Sequence, residues 1–200
     1  MDMLVDPQIL VAAGGVFRKY SKGQVVFHEG DAPAYYYQII SGEVTMLNIR
    51  DSGTDFIQGM FREGQAFGSP ALMLNEPYPA SAVANKDAVL VRLAREAFLK
   101  VLEVHPDVLL SFSRMLCRLL YHKAFIGKGI ASQGPEERIG TLLEILKKES
   151  GHALEEKNRL NLSRQQIADM IGLRVETVIR AMKKLEENGV IAIDHGKVYY

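Results

Sequence analysis

Apolar residues recur at spacings of three and four along residues 163–187, which is the period of a helix with one buried face. The pattern predicts two short helices separated by a tight turn at Gly172, because glycine tolerates the positive φ at which many helices end. Ser163 and Gln166 form a capping-box pair at the start of the first helix. The predicted buried positions are Ile167, Met170, Ile171, Val178, Ala181, Met182 and Leu185.

A different pattern covers residues 15–93, where short apolar runs are separated by turn residues such as Gly23, Gly30 and Gly42. Runs of this length and spacing predict an antiparallel β-roll or jelly roll. The predicted strands are residues 16–20, 24–28, 36–40, 43–48, 55–61, 81–84 and 88–93.

The pattern becomes helical at Arg95, and Pro106 lies where a first-turn proline is tolerated, at the start of a long helix toward residue 130. This helix carries two apolar stripes. One follows alternating steps of four and three, as in a coiled-coil seam, and we predict that it forms a homodimer interface. Its residues are Val108, Phe112, Met115, Leu119, His122 and Ile126. The other is predicted to cover the β-roll and contains Leu109, Leu116 and Leu120. The alternative is that both stripes are buried within one subunit.

Gly127, Gly129 and residues 133–135 interrupt the helical pattern and predict a hinge. A new helix is expected from Pro135, with an apolar face of Ile139, Leu142, Leu143 and Leu146. After Gly189 the sequence alternates around His195-Gly196, which predicts a β-hairpin wing. The predicted class is therefore α+β: an N-terminal antiparallel β-roll (1–105), a dimerisation helix (106–132) and a C-terminal winged helix-turn-helix (133–200).

Composition narrows the function. The 200 residues carry 24 basic and 24 acidic side chains, but residues 157–184 contain seven basic residues against two acidic ones. This local excess suits a nucleic-acid partner. No apolar run is long enough to span a membrane, and the acidic N-terminus does not resemble a signal peptide. A single cysteine, Cys117, excludes a disulfide or a cysteine-ligated iron–sulfur cluster within one chain. We therefore expect a reducing cytoplasm, no membrane association and no metal site.

The second helix of the pair leaves a polar face that suits the major groove of double-stranded DNA. Arg180 can bond guanine and Glu176 can accept the cytosine amino proton, while Val175 and Ile179 would contact thymine methyl groups. The alternative is that Glu176 and Arg180 form a surface ion pair. The predicted phosphate-binding residues are Ser163, Arg164, Gln165, Arg174, Thr177, Lys183 and Lys197.

The order of elements resembles the CRP/FNR family of bacterial transcription regulators. The resemblance extends over essentially the whole chain. It rests on FHEGD (27–31), YQIISGEV (37–44), EVHPDVLL (103–110), RQQIADMIG (164–172), VETVIR (175–180) and LEENGVI (185–191). It implies a dimeric regulator in which Glu176 and Arg180 read a TGA-like half-site of an inverted repeat, with RNA polymerase as a further partner. Val175 resembles the FNR branch, whereas Arg174 and Ile179 depart from the residues usual at their positions.

The cyclic-nucleotide motifs of that family are altered. Gly68-Ser69-Pro70 stands where the resemblance places the Gly-Glu-Leu motif that holds the ribose, and Ala80 replaces the arginine that holds the phosphate. An anion buried without a cation is costly, so cyclic AMP is not expected and the small-molecule effector is unknown. Haem is not expected either. The candidate effector pocket comprises Phe67, Gly68, Ser69, Leu72, Ala80 and Ser81, with ordinary core packing as the alternative.

Two other functions are alternatives to DNA binding. A metal-dependent, cupin-like jelly-roll enzyme needs clustered ligands inside the barrel, but His28 is the one histidine within the predicted strands. RNA binding by the winged domain would require aromatic side chains on the basic face, and the sequence places none there. The sequence therefore favours a DNA-binding regulator without enzymatic activity.

Overall fold

The computed structural model describes residues 3–49, 56–132, 134–150, 159–160, 162–194 and 197–200. The chain forms two compact units, Met1–Cys117 and Arg118–Tyr200. One long helix, α4, contributes residues to both units because it spans Pro106–Ser132.

The first unit is an antiparallel β-roll with helices along one face. Its helices are α1 (Pro7–Ala12), α2 (Ser69–Leu74), α3 (Arg95–Val104) and the first part of α4. Its strands are β1 (Val16–Tyr20), β2 (Val25–Phe27), β3 (Tyr35–Ser41), β4 (Glu43–Asn48), β5 (Phe56–Arg62), β6 (Ala66–Phe67), β7 (Ser81–Ala84) and β8 (Ala88–Ala94). Within the described residues they form two four-stranded sheets, ordered β1-β8-β3-β6 and β2-β7-β4-β5.

Alternation along β3 and β8 divides the hydrophobic core into two layers, because successive side chains of a strand point to opposite faces. Tyr37 and Leu90 lie in the layer between the sheets, together with residues from β2, β4, β6 and β7. Tyr36 and Val91 lie in the other layer, against α1, α3 and α4. The fold class predicted from the sequence is confirmed.

The strand predictions are confirmed to within one residue over the described positions, and residue 55 lies outside them. Three elements of the first unit were missed: α1, α2 and β6. The two helices have six residues each and β6 has two, too few for a period to show. Asp6 starts α1 by accepting the amide proton of Gln8 at 2.8 Å, with Pro7 at the first helical position.

A buried glutamine attaches the N-terminal segment to the β-roll. The Gln38 Oε1 accepts the Val5 amide proton at 3.0 Å and the Tyr36 hydroxyl proton at 2.7 Å. The Gln38 Nε2 donates to the Val5 carbonyl oxygen at 2.8 Å. The amide is therefore hydrogen-bonded at both ends, although Gln38 is fully buried.

Gly42 forms the turn between β3 and β4 with a φ of +92°, which is in the left-handed region that favours glycine. A Cβ atom there would lie 2.6 Å from Ala88 Cα and nearer still to the Asp87 carbonyl oxygen. Gly42 thus permits both the turn and the close approach of the chain that leads into β8.

Glu43, which follows this turn, is a buried carboxylate with three polar partners. Its side chain is 7% exposed and lies 3.3 Å from Arg62 Nε and 3.5 Å from Lys86 Nζ. It also accepts a hydrogen bond from the Asn85 side-chain amide. Burial raises the pKa of this carboxyl, but the Asn85 hydrogen bond and the Lys86 and Arg62 charges outweigh burial. The net effect is a pKa below the ordinary value of 4.5.

Because the folded-state pKa is lowered, the charged form stabilises the fold above the unfolded-state pKa, and this contribution is lost as the pH falls through the folded-state value. We therefore expect Glu43→Gln to lower the free energy of unfolding at neutral pH. The difference from wild type should shrink below pH 4.5. Urea unfolding across this range measures it, and a difference that does not change with pH would contradict the assignment.

The second unit contains the end of α4, three further helices and a small sheet. The helices are α5 (Pro135–Ser150), α6 (Arg164–Ile171) and α7 (Val175–Glu187). The strands are β9 (Arg159–Leu160), β10 (Ala192–Asp194) and β11 (Lys197–Tyr199), in the order β10-β11-β9. The core combines the predicted apolar faces of all three helices with Leu160, Ile191 and Val198. Strand β9 was not predicted, because two residues give no alternation.

The structure describes the backbone of all the predicted hinge residues except residue 133. Helix α4 extends through positions 127 and 129 to Ser132, so the two glycines do not end it. Residue 133 lies outside the described residues, and α5 begins at Pro135 as predicted. The turn of the wing, at residues 195 and 196, is likewise not described.

Candidate nucleic-acid interface

Helices α6 and α7 form a compact pair with a defined turn between them. Both hydrogen bonds of the capping box are present: Gln166 N donates to Ser163 Oγ at 3.1 Å, and Ser163 N donates to Gln166 Oε1 at 2.8 Å. Gly172 ends α6 in the left-handed conformation with a φ of +67°. Helix α7 begins three residues later, at Val175, so its N-terminus follows directly from the turn.

Helix α7 has a sharp division between its two faces. Val178, Ala181, Met182 and Leu185 are buried in the core of the unit, each 7% exposed or less. Glu176, Arg180 and Lys183 are exposed on the other side, and Ile179 is an exposed aliphatic residue at 52%. An aliphatic side chain so exposed beside charged ones suits contact with an apolar group such as a thymine methyl.

Glu176 and Arg180 form no ion pair in the described part of the chain, with each other or with another residue. The alternative of an intrahelical ion pair is therefore not what the structure shows. Both side chains are available for an external partner, one turn apart on the same face.

Val175 is more buried than predicted. It is half-buried and packs against the core of the unit, so the prediction that it lies on the open face is wrong in part. It is the first residue of α7, and at a helix end the apolar stripe curves toward the preceding turn.

The predicted phosphate-binding residues differ in their exposure and in the contacts that their side chains already make. Arg174, Lys183 and Lys197 are exposed. Gln165 donates to Asp169 Oδ1 at 2.7 Å, which engages its side-chain amide within α6. Thr177 and Arg164 are half-buried, and burial lowers the pKa of Arg164 while the Glu186 charge acts in the opposite direction. The Ser163 hydroxyl accepts a hydrogen bond as the helix cap and retains its own proton to donate.

Sequence reasoning missed Glu186, which connects α7 to the wing. Its Oε1 accepts the amide proton of Ile193 in β10 at 3.1 Å. The charge of the same carboxylate also raises the pKa of Arg164 at the start of α6. Glu186, itself in α7, therefore interacts with both α6 and the wing strand β10. An exposed glutamate near a helix end gives no signal of this role in the sequence.

The candidate effector residues do not line a single pocket. Phe67 and Ala80 are buried in the layer between the sheets, whereas Leu72 is buried in the other layer, against the helices. The prediction is therefore wrong for Leu72. Ser69 and Ser81 are also buried, and Ser69 Oγ has no hydrogen-bond partner among the described residues.

Aromatic side chains occupy the space beside Gly68. The rings of Phe27 and Tyr78 are stacked with centroids 3.6 Å apart, and a Cβ at Gly68 would lie 2.9 Å from the Tyr78 ring. Ser81 Oγ accepts the Glu29 amide proton at 2.9 Å, and Asn48 donates to the Glu29 carboxylate at 3.0 Å. The backbone of Glu29 thus occupies the Ser81 hydroxyl, and the Glu29 carboxylate is bonded to Asn48 rather than to a cation of the β7 stretch.

Helix α4 packs against the β-roll mainly through the stripe that was predicted to form the dimer interface. Of the stripe predicted to cover the β-roll, Leu116 packs there as predicted, whereas Leu109 and Leu120 are exposed. Val108 and Phe112 are 5% and 1% exposed and pack in the core against α3, so the prediction that they form a dimer interface is wrong. Met115 and Leu116 also pack against this core, and Leu119 is half-buried. The side chains of His122 and Ile126 lie outside the description. In α4, the large apolar residues whose side chains are described and exposed are Leu109, Leu110, Leu120 and Tyr121.

A winged helix-turn-helix joined through a long helix to a β-roll defines a class of two-domain regulators that bind DNA. Comparison with known proteins gives the same answer: the cyclic nucleotide-binding domain family matches residues 17–105, and the Crp-like helix-turn-helix domain family matches residues 137–199. The chain belongs to the CRP/FNR family of transcription regulators. It is a DNA-binding transcription regulator and not an enzyme.

Relatives within the family include the nitrogen fixation regulation protein FixK of Azorhizobium caulinodans. It is 31% identical over 197 residues, covering 94% of this chain and 75% of FixK. The cAMP-activated global transcriptional regulator CRP of Pasteurella multocida is 26% identical over 181 residues, covering 90% of this chain and 86% of CRP.

Solved structures share the fold. The c-di-GMP responsive global regulator CLP of Xanthomonas campestris has a TM-score of 0.76 at 22% identity, covering 97% of this chain and 98% of CLP. FixK2 of Bradyrhizobium japonicum has a TM-score of 0.73 at 23% identity, covering 92% and 91%. Among the described residues, no helix combines the length and the apolar character needed to cross a bilayer.

Proposed function

We propose that this regulator is a homodimer that reads an inverted repeat with a TGA-like half-site. Arg180 bonds guanine in bidentate fashion, Glu176 accepts from the cytosine amino group, and Ile179 contacts a thymine methyl. Val175 would touch DNA with the part of its side chain that is not packed against the core. The observation that carries the proposal is the open face of α7, where Glu176, Ile179 and Arg180 are exposed and neither charge forms an ion pair with another described residue.

The phosphate backbone is held by residues at the rim of this face. Arg174, Lys183 and Lys197 supply exposed positive charge, and Ser163 and Thr177 supply hydroxyl groups. Gln165 would contribute after releasing its hydrogen bond to Asp169, and half-buried Arg164 would contribute from beside the Glu186 charge. Contacts of this kind fix the position of the protein on the duplex and carry no base preference.

The dimer forms through the exposed face of α4. Leu109, Leu110, Leu120 and Tyr121 are between 43% and 72% exposed, which is unusual for four large apolar residues on one helix. Pairing this helix with its counterpart would cover them. It would also present two copies of α7 to two half-sites about one helical turn apart.

The effector of the β-roll is a molecule other than cyclic AMP. The support is the alanine at position 80 in place of a cation, the Ser81 hydroxyl already bonded to the Glu29 amide, and the stacked rings beside Gly68. Binding an anionic phosphate there would require desolvation without charge compensation. The regulator works in the cytoplasm with RNA polymerase as a further partner, and without an iron–sulfur cluster or haem.

Selection of binding sites from random duplex DNA tests the proposal, carried out in parallel with the wild-type protein, Arg180→Ala and Lys183→Ala. Wild type should enrich an inverted repeat with a TGA-like core. Arg180→Ala should lose about 1–3 kcal/mol of binding free energy to that sequence and relax the preference at one base. Lys183→Ala should weaken binding to all sequences alike and reduce the dependence on salt.

Lys183 is the matched control, because it lies on the same exposed side of α7 as Arg180 and carries the same charge. An equal and uniform loss for both variants would show that Arg180 does not read a base. Enrichment of single half-sites without a repeat would contradict the dimer.

A further inference from the structure

An arginine lies among tyrosine rings on the inner face of the first sheet. Arg92 in β8 stands opposite Val16 of β1 and Tyr37 of β3, so its side chain projects from the same face as Tyr37. Its guanidinium carbon is 4.5 Å from the centre of the Tyr35 ring. Among the described residues no carboxylate forms an ion pair with Arg92.

One donor of the guanidinium group lacks a hydrogen-bond acceptor among the described residues. Arg92 Nε is buried and has no acceptor in the described part of the structure. Leaving a buried donor unpaired is unfavourable, and more so for a charged group. An oxygen atom of a ligand placed at Nε would remove that cost.

The neighbouring groups suit an anion with an apolar body. Burial raises the pKa of Tyr37 to about 12, with smaller effects from Tyr20, Arg92, Tyr35 and Asp31. The Tyr37 hydroxyl therefore keeps its proton at neutral pH and can donate it. The Tyr35 and Tyr37 rings, with centroids 6.2 Å apart, form an aromatic wall beside the charge.

We propose that Arg92, Tyr35 and Tyr37 bind a small organic carboxylate. The planar fork of a guanidinium matches the two oxygens of a carboxylate, and the single charge of Arg92 balances one negative charge. Asp31 lies near the Tyr37 hydroxyl and accepts the His28 amide proton at 2.8 Å, so a second negative charge on the ligand would be repelled. A phosphate dianion is disfavoured for that reason.

This site differs from the stretch in which the family resemblance places a cyclic nucleotide. Arg92 belongs to β8 in the first sheet, whereas Ala80 and Ser81 lie at the start of β7 in the second. Use of the site to regulate DNA binding rests on the proposed function. Binding of the carboxylate itself does not.

Calorimetric titration of the full chain with sodium benzoate tests the proposal, at constant ionic strength, with benzamide as the uncharged isostere. Benzoate should bind wild type and benzamide should not. Arg92→Gln should weaken benzoate binding about tenfold or more, since a hydrogen bond to a charged group is lost. Arg92→Lys, which keeps the charge but not the fork, should lie between them. Lys19→Gln is the control, because exposed Lys19 stands on β1 opposite Val89, on the other face of the sheet.

Failure of benzoate to bind wild type, or equal binding to wild type and Arg92→Gln, would overturn the proposal. Tighter binding of inorganic phosphate than of benzoate would overturn the carboxylate class. If Arg92→Gln does not fold, Arg92→Lys carries the comparison. A parallel titration with cyclic AMP should give no binding. If it binds, and binds Arg92→Gln equally well, the effector part of the proposed function fails while the carboxylate site stands.

Discussion

Replacing Gly42 with alanine is expected to destabilise the β-roll by about 2–5 kcal/mol. Two terms add: a side chain in the left-handed region costs about 1–2 kcal/mol, and forcing a methyl group into a filled space costs about 1–3 kcal/mol. The added Cβ would meet the backbone at Asp87 and Ala88, which cannot rotate away as a side-chain end can. Urea unfolding followed by circular dichroism measures the loss.

Gly23→Ala separates the two terms. Gly23 has a similar φ of +84°, but no heavy atom lies within 4 Å of its added Cβ. This variant should therefore lose only the backbone term, about 1–2 kcal/mol. Equal losses for the two variants would mean that the contact at Gly42 is relieved by movement of the β7–β8 connection.

Phe112→Ala is expected to cost about 3–5 kcal/mol of subunit stability, as is usual for a large aromatic residue removed from a core. Phe112 is 1% exposed, with ring centroids 5.2 Å from Phe98 and 6.4 Å from Tyr36. Leu120→Ala, at a position 72% exposed, should change subunit stability by no more than about 0.5 kcal/mol. It should instead weaken self-association.

Two measurements distinguish these roles. Sedimentation equilibrium gives the dissociation constant of the dimer, and urea unfolding at protein concentrations below that constant gives the stability of the subunit alone. If Leu120→Ala left association unchanged while Phe112→Ala abolished it without destabilising the subunit, the stripe predicted from the heptad pattern would be the interface after all.

The assignment of the α4 stripes shows where a periodic pattern stops being informative. Both stripes are apolar, so the sequence predicts a helix with two buried faces. It does not say which face meets the β-roll. That choice depends on the direction in which the chain leaves α3 at His105 and Pro106, which is set by packing of Phe98 and Val101 in the same core. A tertiary constraint of this kind has no local signal.

The helix-turn-helix was easier to predict because its signals are local. The capping box, the glycine after α6 and the apolar positions of α7 each constrain only a few neighbouring residues, and the structure has all three. Glu186 and the Gln38 network were missed for the opposite reason. Their partners, Ile193 and Val5, are determined by how distant elements meet.

The effector region was predicted from a resemblance, and there the outcome is mixed. Gly68, Ser69, Ala80 and Ser81 are buried, whereas Pro70 is exposed. Phe67 belongs to strand β6 and Leu72 to helix α2, and their side chains lie in different layers of the core. The sequence gives no signal for Arg92, because an arginine in a strand suggests a solvent-facing position until its cross-strand neighbours are known.

The Gln38 amide has a consequence for the sheet itself. Its carbonyl and amino groups meet the N–H and C=O of one residue, Val5, as a peptide group of an adjacent strand would. A side chain thus substitutes for a backbone neighbour, and the N-terminal segment is bonded as a one-residue strand outside the ladder. Glutamate at position 38 would present oxygen to the Val5 carbonyl, and leucine would leave both backbone groups unpaired. The identity of residue 38 is therefore set by the backbone it imitates, and no apolar residue of equal volume can replace it.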